Sequence, residues 1–361
     1  MATKLASRRD FLAGLTSLVA TPSLGWAAVG DPVALSAVQT PQGLFNLVGL
    51  ARNGALAFRV PLPARGHAAA AHPTIAEAVA IARRPGTFAK VIDCVNGHLL
   101  KALTCPEGRH FYGHGAFSAD GHLLFTPEND ITTGAGRIGV WDRSLNYARI
   151  DEFSSGGIGP HEILRMPTGN LAVANGGIRT HPASGREKLN LETMRGNLSV
   201  FSPEGRLLDQ AEVPNDNRMN SLRHISSAPD GRIICGFQWQ GDPYDTPQLV
   251  SFYDGNGHLK PAKVDEGLLR TLDGYIGSVC AIGNDLFAAS SPRGGRVFTL
   301  NADGEVQAQH RSLDVCGLSA LEDTCALTTD GYGTVYQLSQ GNLTRIDKHN
   351  LAFDNHLVSL I

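Results

Sequence analysis

The stretch that decides the fold runs from Gly113 to Phe153 and reads GHGAFSADGHLLFTPENDITTGAGRIGVWDRSLNYARIDEF. Its first apolar segment ends at Asp120-Gly121, a dipeptide that readily adopts the positive φ angles of a tight hairpin turn. Three more β-like segments follow, the first two separated by a longer loop and the last two by a short turn. The stretch therefore predicts four consecutive antiparallel strands.

This four-strand unit repeats along the chain, with Asn-Gly or Asp-Gly turns marking its hairpins. These turns are Asn53-Gly54, Asn96-Gly97, Asp120-Gly121, Asp230-Gly231, Asp303-Gly304 and Asp330-Gly331. The first strands of the units begin near His67, His114, His161, His224, Gly277, Gly317 and His356. Most of these starts are about 40–50 residues apart, the period of a β-propeller blade. One longer interval contains an insertion, roughly Gly176 to Gly196, between the second and third strands of its unit.

The two ends of the chain together predict one shared blade. The strand from His356 to Leu360 has no chain left to complete a blade, whereas the N-terminal part supplies three strands without a first strand. These three are Val33 to Ser36, Phe45 to Leu50 and Ala55 to Val60. We therefore expect an all-β, seven-bladed β-propeller over residues 28–361 as a single domain, with no open sheet edge in the ring. The alternative, two β-sandwich domains, needs a Pro/Gly/polar linker near mid-chain, where the sequence has none.

Composition excludes several classes of protein. With 42% hydrophobic and only 18% charged residues, the 361-residue chain is not a disordered or tail-like protein. A net charge of −3 argues against a nucleic-acid binder, which would carry a basic surface. The 41 glycines favour a turn-rich β protein. The six cysteines form no C-x-x-C pair, so we expect free thiols, without a disulfide framework or a covalently attached haem.

Residues 1–27 have the pattern of an export signal. Residues 7–12 read SRRDFL, a moderately apolar run follows to Ala20, and small residues precede a cleavage after Ala27. This is the pattern of a bacterial twin-arginine signal peptide, and it predicts a periplasmic protein. An ordinary secretory peptide and a membrane anchor are the alternatives. An anchor needs about 20 strongly apolar residues, and no later stretch meets that requirement, so we expect no membrane span after signal removal.

Five of the seven first strands carry a histidine at the same aligned position. They are His67, His114, His161, His224 and His356. Because the first strand of each blade lines the central channel, these imidazoles are expected to converge on the axis, where they could bind a transition metal such as Fe, Cu or Zn. A second interpretation is structural: in WD-type repeats a Gly-His pair before the first strand is hydrogen-bonded within its own blade. Gly66-His67 and Gly113-His114 have that form, and Trp141-Asp142 stands where the WD dipeptide would. A polar ligand or partner site is the third.

Other polar residues are predicted to lie on the same face as the histidines. Glu162 and Arg223 flank histidines in the sequence, and Arg179 and His181 lie in the insertion, which is a candidate lid. Trp239, with Asp242 and Tyr244, falls in the corresponding loop of the next blade. Satisfied surface charges and a solvated loop are the alternatives. No catalytic motif is present, so no catalytic residue is predicted.

The chain resembles a bacterial family of twin-arginine-exported proteins, domain of unknown function 1513. The resemblance rests on Pro63 to His67, Arg83 to Gly86, Tyr112 to Ser118, Gly159 to Glu162 and Asp354 to His356. It implies a periplasmic propeller often encoded near iron-uptake components, such as imelysin-like proteins and dihaem oxidoreductases, which are therefore the expected partners. It supplies no catalytic residue.

We therefore expect a non-enzymatic binding or scaffold protein linked to the uptake of iron or another metal. The alternative is a metal- or cofactor-dependent enzyme that uses the ring of histidines, an expectation that rests on fold analogy alone. A lactonase-like hydrolase would need convergent carboxylate and Asn ligands around Ca²⁺, and these cannot be assembled from the sequence.

Overall fold

The computed structural model describes residues 24–82, 88–185 and 187–360. These residues form thirty strands, which in chain order are β1 (Ala34–Gln39), β2 (Phe45–Leu50), β3 (Leu56–Leu62), β4 (Gly66–Ala71), β5 (Glu77–Ala82), β6 (Ala89–Asp93), β7 (His98–Leu103), β8 (Arg109–Phe111), β9 (Ala116–Phe117), β10 (Leu123–Asp130), β11 (Ala135–Asp142), β12 (Ala148–Ile158), β13 (Pro160–Arg165), β14 (Leu171–Asn175), β15 (Asn197–Phe201), β16 (Leu207–Glu212), β17 (Asn220–Ser227), β18 (Ile233–Trp239), β19 (Val250–Tyr253), β20 (Leu259–Pro261), β21 (Ser278–Ile282), β22 (Leu286–Ser291), β23 (Arg296–Asn301), β24 (Val306–Arg311), β25 (Val315–Glu322), β26 (Cys325–Asp330), β27 (Thr334–Ser339), β28 (Leu343–Lys348), β29 (Ala352–Phe353) and β30 (Val358–Ser359).

The strands assemble into seven antiparallel sheets, each ordered from the axis outwards as its strands follow in the chain. From the N-terminus the inner strands of blades 1 to 7 are β29 with β30, β4, β8 with β9, β13, β17, β21 and β25. The structure is therefore a seven-bladed β-propeller, as the sequence predicts.

Blade 1 contains both ends of the chain. Strand β1 pairs on its outer side with β2 and on its inner side with the C-terminal strands, matching Val38 to Phe353 and Leu35 to Val358. This pairing confirms the shared blade. It also removes the exposed strand edge that an open ring would present.

Seven hydrophobic clusters hold the ring together, one between each pair of neighbouring sheets. The shared blade is no exception: Leu50 of blade 1 and Leu327 of blade 7 are both fully buried in one such cluster. The seam between the first and last parts of the chain is therefore packed like every other blade boundary. The six cysteines are all free, and five of them are buried, as small apolar side chains are.

Helical structure is sparse. The α-helix Glu266–Thr271 follows blade 5 and is capped by Asp265, whose carboxylate accepts a hydrogen bond from the Leu268 amide at 3.1 Å. Short 3₁₀ turns cover Trp26–Val29, Pro182–Ser184, Leu191–Thr193 and Asn215–Asn217. Within the described residues, no helix is long and apolar enough to cross a bilayer.

The insertion of blade 4 lies between β14 and β15, where the sequence predicts it. It is not wholly solvated, because Ile178 and Met194 near its two ends are buried against the blade. Its charged middle residues are exposed, apart from Arg186, which lies outside the described residues. Residues 1–23, which hold most of the predicted signal peptide, and the stretch Arg83 to Gly86 also lie outside them.

Candidate metal centre

Irregular inner strands place the histidines. In β4 and β13 the strand pairing skips His67 and His161, and in β17 it skips Arg223, so each of these residues is the extra residue of a β-bulge. In blades 3 and 1 the inner strand is interrupted around His114 and His356. A bulge releases a residue from the ladder and re-aims its side chain. Bulges in three blades and interruptions in two thus lie at or beside the five histidines, whose rings come together.

The inner strands begin near the histidine in two of these blades, as the sequence predicts, and earlier in the others. Strand β4 begins at Gly66 and β13 at Pro160, one residue before His67 and His161. Strand β17 begins at Asn220, four residues before His224, and in blade 3 β8 ends at Phe111, before His114 is reached. In those two blades the inner strand extends past the level of the histidine.

The five imidazoles contact one another. The ring centroids of His67 lie 5.0, 5.5 and 4.6 Å from those of His114, His161 and His356. His224 completes the group, with its ring centroid 5.1 Å from those of both His161 and His356. The structure thus brings together all five residues singled out in the sequence. We call these five residues the histidine cluster.

Three residues of the histidine cluster have ring nitrogens close to one another. One ring nitrogen from each of His67, His114 and His356 lies within 4.8 Å of the others. Nitrogen ligands of a tetrahedral metal ion at about 2.0–2.1 Å are roughly 3.4 Å apart. The trio therefore has the composition of a three-histidine metal site, with nitrogens up to about 1.4 Å farther apart than those of a bound tetrahedral ion.

Glycine is required beside the cluster. A Cβ atom on Gly113 would lie 2.5 Å from Cδ2 of His67, and the residue has a φ angle of +104°. Only glycine combines that backbone with that close approach. Sequence analysis noted Gly113 as part of a Gly-His pair, but its contact is with the histidine of the neighbouring blade.

A hydrogen bond orients one ring, and a carboxylate lies near two others. His161 donates its Nδ1 proton to the carbonyl oxygen of Arg223 at 3.0 Å, which leaves Nε2 of His161 with its lone pair. Glu162 lies between two other rings: its Oε1 is 3.7 Å from Nδ1 of His114, and its Oε2 is 3.4 Å from Nδ1 of His224. A hydrogen-bonded outer partner, such as the Arg223 carbonyl, fixes the tautomer of a metal-binding histidine.

Burial keeps three of the rings neutral. It lowers the pKa of His114 and His161 well below 6.5, with further lowering from nearby histidines and, for His161, from the Arg223 charge. Burial, with Arg223, lowers the pKa of His224 to about 3. In the opposite direction, burial raises the pKa of the Glu162 carboxyl to about 7, although His356 opposes the shift. At neutral pH His114, His161 and His224 are therefore unprotonated, the form in which imidazole binds metals.

The hydrogen bonds of the histidines bear on the interpretation that each imidazole only holds its own blade together. The hydrogen bond of His161 crosses to blade 5 and does not close within its own blade. Nε2 of His114 is buried and has no hydrogen-bond partner in the described part of the chain. Imidazoles that only held their own blade would instead bond inside it.

The remaining predicted residues take other positions. The Arg179 guanidinium donates to the Thr132 carbonyl of blade 3 at 2.9 Å, and Nδ1 of His181 accepts from the Ala183 amide at 3.1 Å, capping a 3₁₀ turn. The indole of Trp239 donates to the Asp242 carbonyl at 2.9 Å. These contacts are local, and a binding role for the three residues stays a prediction. The charge of Lys188 in the insertion lies near Arg223 and Arg293, which together with burial lower the pKa of Lys188.

Fold and site together define a seven-bladed β-propeller with a buried cluster of five histidines on its axis. The chain belongs to the family described as protein of unknown function (DUF1513), which matches residues 60–360. No curated protein matches it.

Solved structures share only the fold with this chain. A computationally designed protein, Ika8, has a TM-score of 0.54 at 14% identity, with 91% of this chain and 89% of that chain covered. The C-terminal WD40 domain of Sif2 has a TM-score of 0.52 at 9% identity, covering 86% and 81%. A chain of the mitotic checkpoint complex has a TM-score of 0.53 at 11% identity, covering 77% and 74%. The fold is thus WD40-like.

Proposed function

We propose that this propeller binds a first-row transition-metal ion at the histidine cluster and acts as a non-enzymatic metal-binding protein of the periplasm. One observation carries the proposal: nitrogens of His67, His114 and His356 lie within 4.8 Å of one another, and burial disfavours protonation of His114. Imidazole is a ligand suited to Zn, Cu, Fe and Ni. In this proposal the trio supplies the metal ligands.

The surroundings of the trio support the proposal. His161 has its tautomer set by the Arg223 carbonyl, and the Glu162 carboxylate faces the Nδ1 atoms of His114 and His224. A carboxylate or carbonyl behind a histidine ligand is the usual outer shell of a protein metal site. Burial disfavours protonation of the His114 and His224 imidazoles, so protons do not supply positive charge beside the Glu162 carboxylate. A divalent cation bound by imidazoles of the cluster would supply that charge instead.

Export and a link to iron uptake are part of the proposal. Export is supported by the SRRDFL motif at residues 7–12. The link to iron uptake, through partners such as imelysin-like proteins or a dihaem oxidoreductase, is supported by the family resemblance. A reporter fused after residue 60 tests export: periplasmic activity that is lost in an Arg8→Lys, Arg9→Lys variant supports the twin-arginine route.

Metal content tests the proposal directly. Protein purified from periplasm without a histidine tag is analysed by elemental mass spectrometry, beside a His114→Ala, His356→Ala variant. A His98→Ala, His258→Ala variant is the matched control, because both of these histidines are exposed and belong to outer strands or turns. We expect stoichiometric Fe, Cu or Zn in the wild type and the control, and its loss in the folded cluster variant. Equal metal content in all three proteins would contradict the proposal. Catalytic turnover by the loaded protein would favour the enzyme alternative.

A further inference from the structure

An axial channel of about 430 Å³ runs through the ring on one side of the histidine cluster. The inner strands of all seven sheets line it, and four of its lining residues, His114, Glu162, His224 and His356, belong to or contact the cluster. His67 and His161 do not line it, so they lie on the other side of the cluster. The volume falls within the range of small-molecule sites. It leaves room for a molecule of about ten non-hydrogen atoms plus a few waters.

Small side chains keep the channel open. Alanine, glycine and serine make up nearly half of its lining residues, including Ala68 to Ala71, Gly115, Ser226, Ser278 and Ser319. Larger residues at these positions would narrow the lumen, as they do in a packed core. The walls therefore offer hydroxyl groups and apolar surface, with ionisable side chains at Arg165 and beside the histidine cluster.

Three buried polar atoms of channel-lining residues have no hydrogen-bond partner within the described residues: Ser319 Oγ, His114 Nε2 and His224 Nδ1. Ser319 is only 2% exposed. Buried polar atoms are nearly always paired, so these atoms are available to hydrogen-bond to whatever fills the cavity, water or ligand.

A positively charged side chain, that of Arg165, lies at the outer end of the axial channel. Arg165 is the one Lys or Arg residue among those that line the channel, and it forms no ion pair with the described residues. It is exposed, as is the neighbouring Pro167, so this end opens to solvent. Arg165 lies three residues beyond Glu162 on β13, about 10 Å along an extended strand. The one acidic lining residue, Glu162, faces the histidines.

We propose that the axial channel binds a small organic dicarboxylate, with one carboxylate towards the histidine cluster and the other at Arg165. The lining supplies hydroxyl and guanidinium groups, which donate hydrogen bonds, and its one acidic residue, Glu162, faces the histidines. These donors favour a ligand that carries oxyanions. The inner end of this site rests on the proposed function, because a bound metal ion would supply the positive charge that the first carboxylate meets.

Adipate is the probe, and its neutral diamide, adipamide, is the control ligand. Titration calorimetry compares wild-type protein, metal-free and loaded with zinc, with Arg165→Gln, Arg165→Lys and Ser319→Ala. Arg206→Gln is the matched control, because Arg206 is an exposed arginine of the same blade and does not line the channel. Zinc content and unfolding temperature are measured for each variant.

We expect zinc-loaded wild type and Arg206→Gln to bind adipate alike, and adipamide and Arg165→Gln each to weaken binding about tenfold or more. Arg165→Lys restores part of the affinity, and Ser319→Ala weakens binding without lowering stability. If zinc binds normally but adipate gives no heat, or Arg165→Gln behaves as Arg206→Gln, the channel site is wrong while the proposed function stands. If wild type takes up none of zinc, copper(II) and iron(II), the proposed function fails. Arg165-dependent adipate binding to metal-free protein would then still support the channel site, and its absence would overturn that too.

Discussion

His161 of blade 4 donates its Nδ1 proton to the carbonyl oxygen of Arg223 in blade 5, across 3.0 Å. This bond joins two bulges in neighbouring inner strands. The bond therefore links the bulged backbone at Arg223 to the orientation of the His161 ring.

Replacing His161 with alanine is expected to lower both stability and metal affinity. Loss of the inter-blade hydrogen bond should cost about 0.5–1.5 kcal/mol of unfolding free energy, measured by urea denaturation of the metal-free protein. His98→Ala, at an exposed residue, controls for loss of an imidazole and should leave stability unchanged. A His161→Ala protein as stable as the control would contradict the role given to this bond.

Glu162→Gln is expected to weaken metal binding without unfolding the protein. The carboxylate faces Nδ1 of both His114 and His224, and removing such an outer partner typically lowers affinity about 10–100-fold. Competition with a chromophoric chelator measures the affinity, and the visible spectrum of cobalt-loaded protein reports ligand geometry. The exposed Glu204→Gln is the control. An unchanged affinity and cobalt spectrum would show that Glu162 does not orient the ligands.

The stability of the metal-free protein is expected to depend on pH through the cluster. The pKa values of His114, His161 and His224 lie below 6.5, about 3 for His224, so the unfolded chain binds more protons and stability falls as the pH drops below 6.5. The pKa of Glu162, about 7 against 4.5, acts oppositely: it makes stability fall as the pH rises from 4.5 to 7.

Three histidines outweigh one carboxyl, so a net loss of stability is expected between pH 6.5 and 4.5. Glu162→Gln removes the opposing contribution, and its loss over this range should be steeper. Urea denaturation at a series of pH values measures both slopes. Identical slopes in wild type and Glu162→Gln would mean that Glu162 titrates alike in the folded and unfolded states.

Gly113→Ala is expected to disturb the cluster specifically. Its Cβ would meet the His67 ring at 2.5 Å, whereas a Cβ on Gly231, where φ is +90°, would have no atom within 4 Å. Both substitutions strain a positive-φ backbone, at a cost of about 1–2 kcal/mol or less. Only Gly113→Ala should also reduce metal content, as elemental analysis would reveal. Equal metal content in the two variants would show that the His67 ring can move without consequence.

Much of the fold could be predicted from the sequence because its turns repeat. Asp120-Gly121 and its equivalents fix the hairpins locally, and the strand at His356 matches the strand missing at the N-terminus. The aligned histidines followed from the same repeat, since equivalent positions in a ring face one axis.

The details of the cluster could not be predicted in the same way. A bulge at His67 or Arg223 depends on the register with the partner strand, which no local pattern in the sequence specifies. The position of Glu162 between two rings depends on blades 3 and 5 together. The capping contact of His181 could not be predicted either, because the sequence does not distinguish an imidazole that caps a turn from one that binds a ligand.

Trp26 connects the predicted export signal to the folded domain. Its residue is 8% exposed, it stacks near Phe58, and its indole donates to the His72 carbonyl at 2.9 Å. A chain that starts at Ala28 should therefore be less stable than one that starts at Leu24, by about 3–5 kcal/mol if the site does not repack. Thermal denaturation of the two purified chains measures the difference, and Trp26→Phe in the longer chain isolates the hydrogen bond.

Intact-mass analysis of the exported protein complements this comparison. Processing after Ala27, as the sequence predicts, removes Trp26, whereas processing before Leu24 keeps it. Equal stability of the two chains would mean that the contacts of Trp26 contribute nothing to the domain.

Because blade 1 joins β1 to β29 and β30, the histidine trio can form only late in synthesis. His356 lies between β29 and β30, so the trio of His67, His114 and His356 forms only after these strands have been synthesised and have paired with β1. An ion held by that trio would bind the finished ring and not a partial one, adding its binding free energy to the union of the two chain ends. Only a chain in which blade 1 has formed would then bind the ion. A truncated chain that lacks His356 would not bind it.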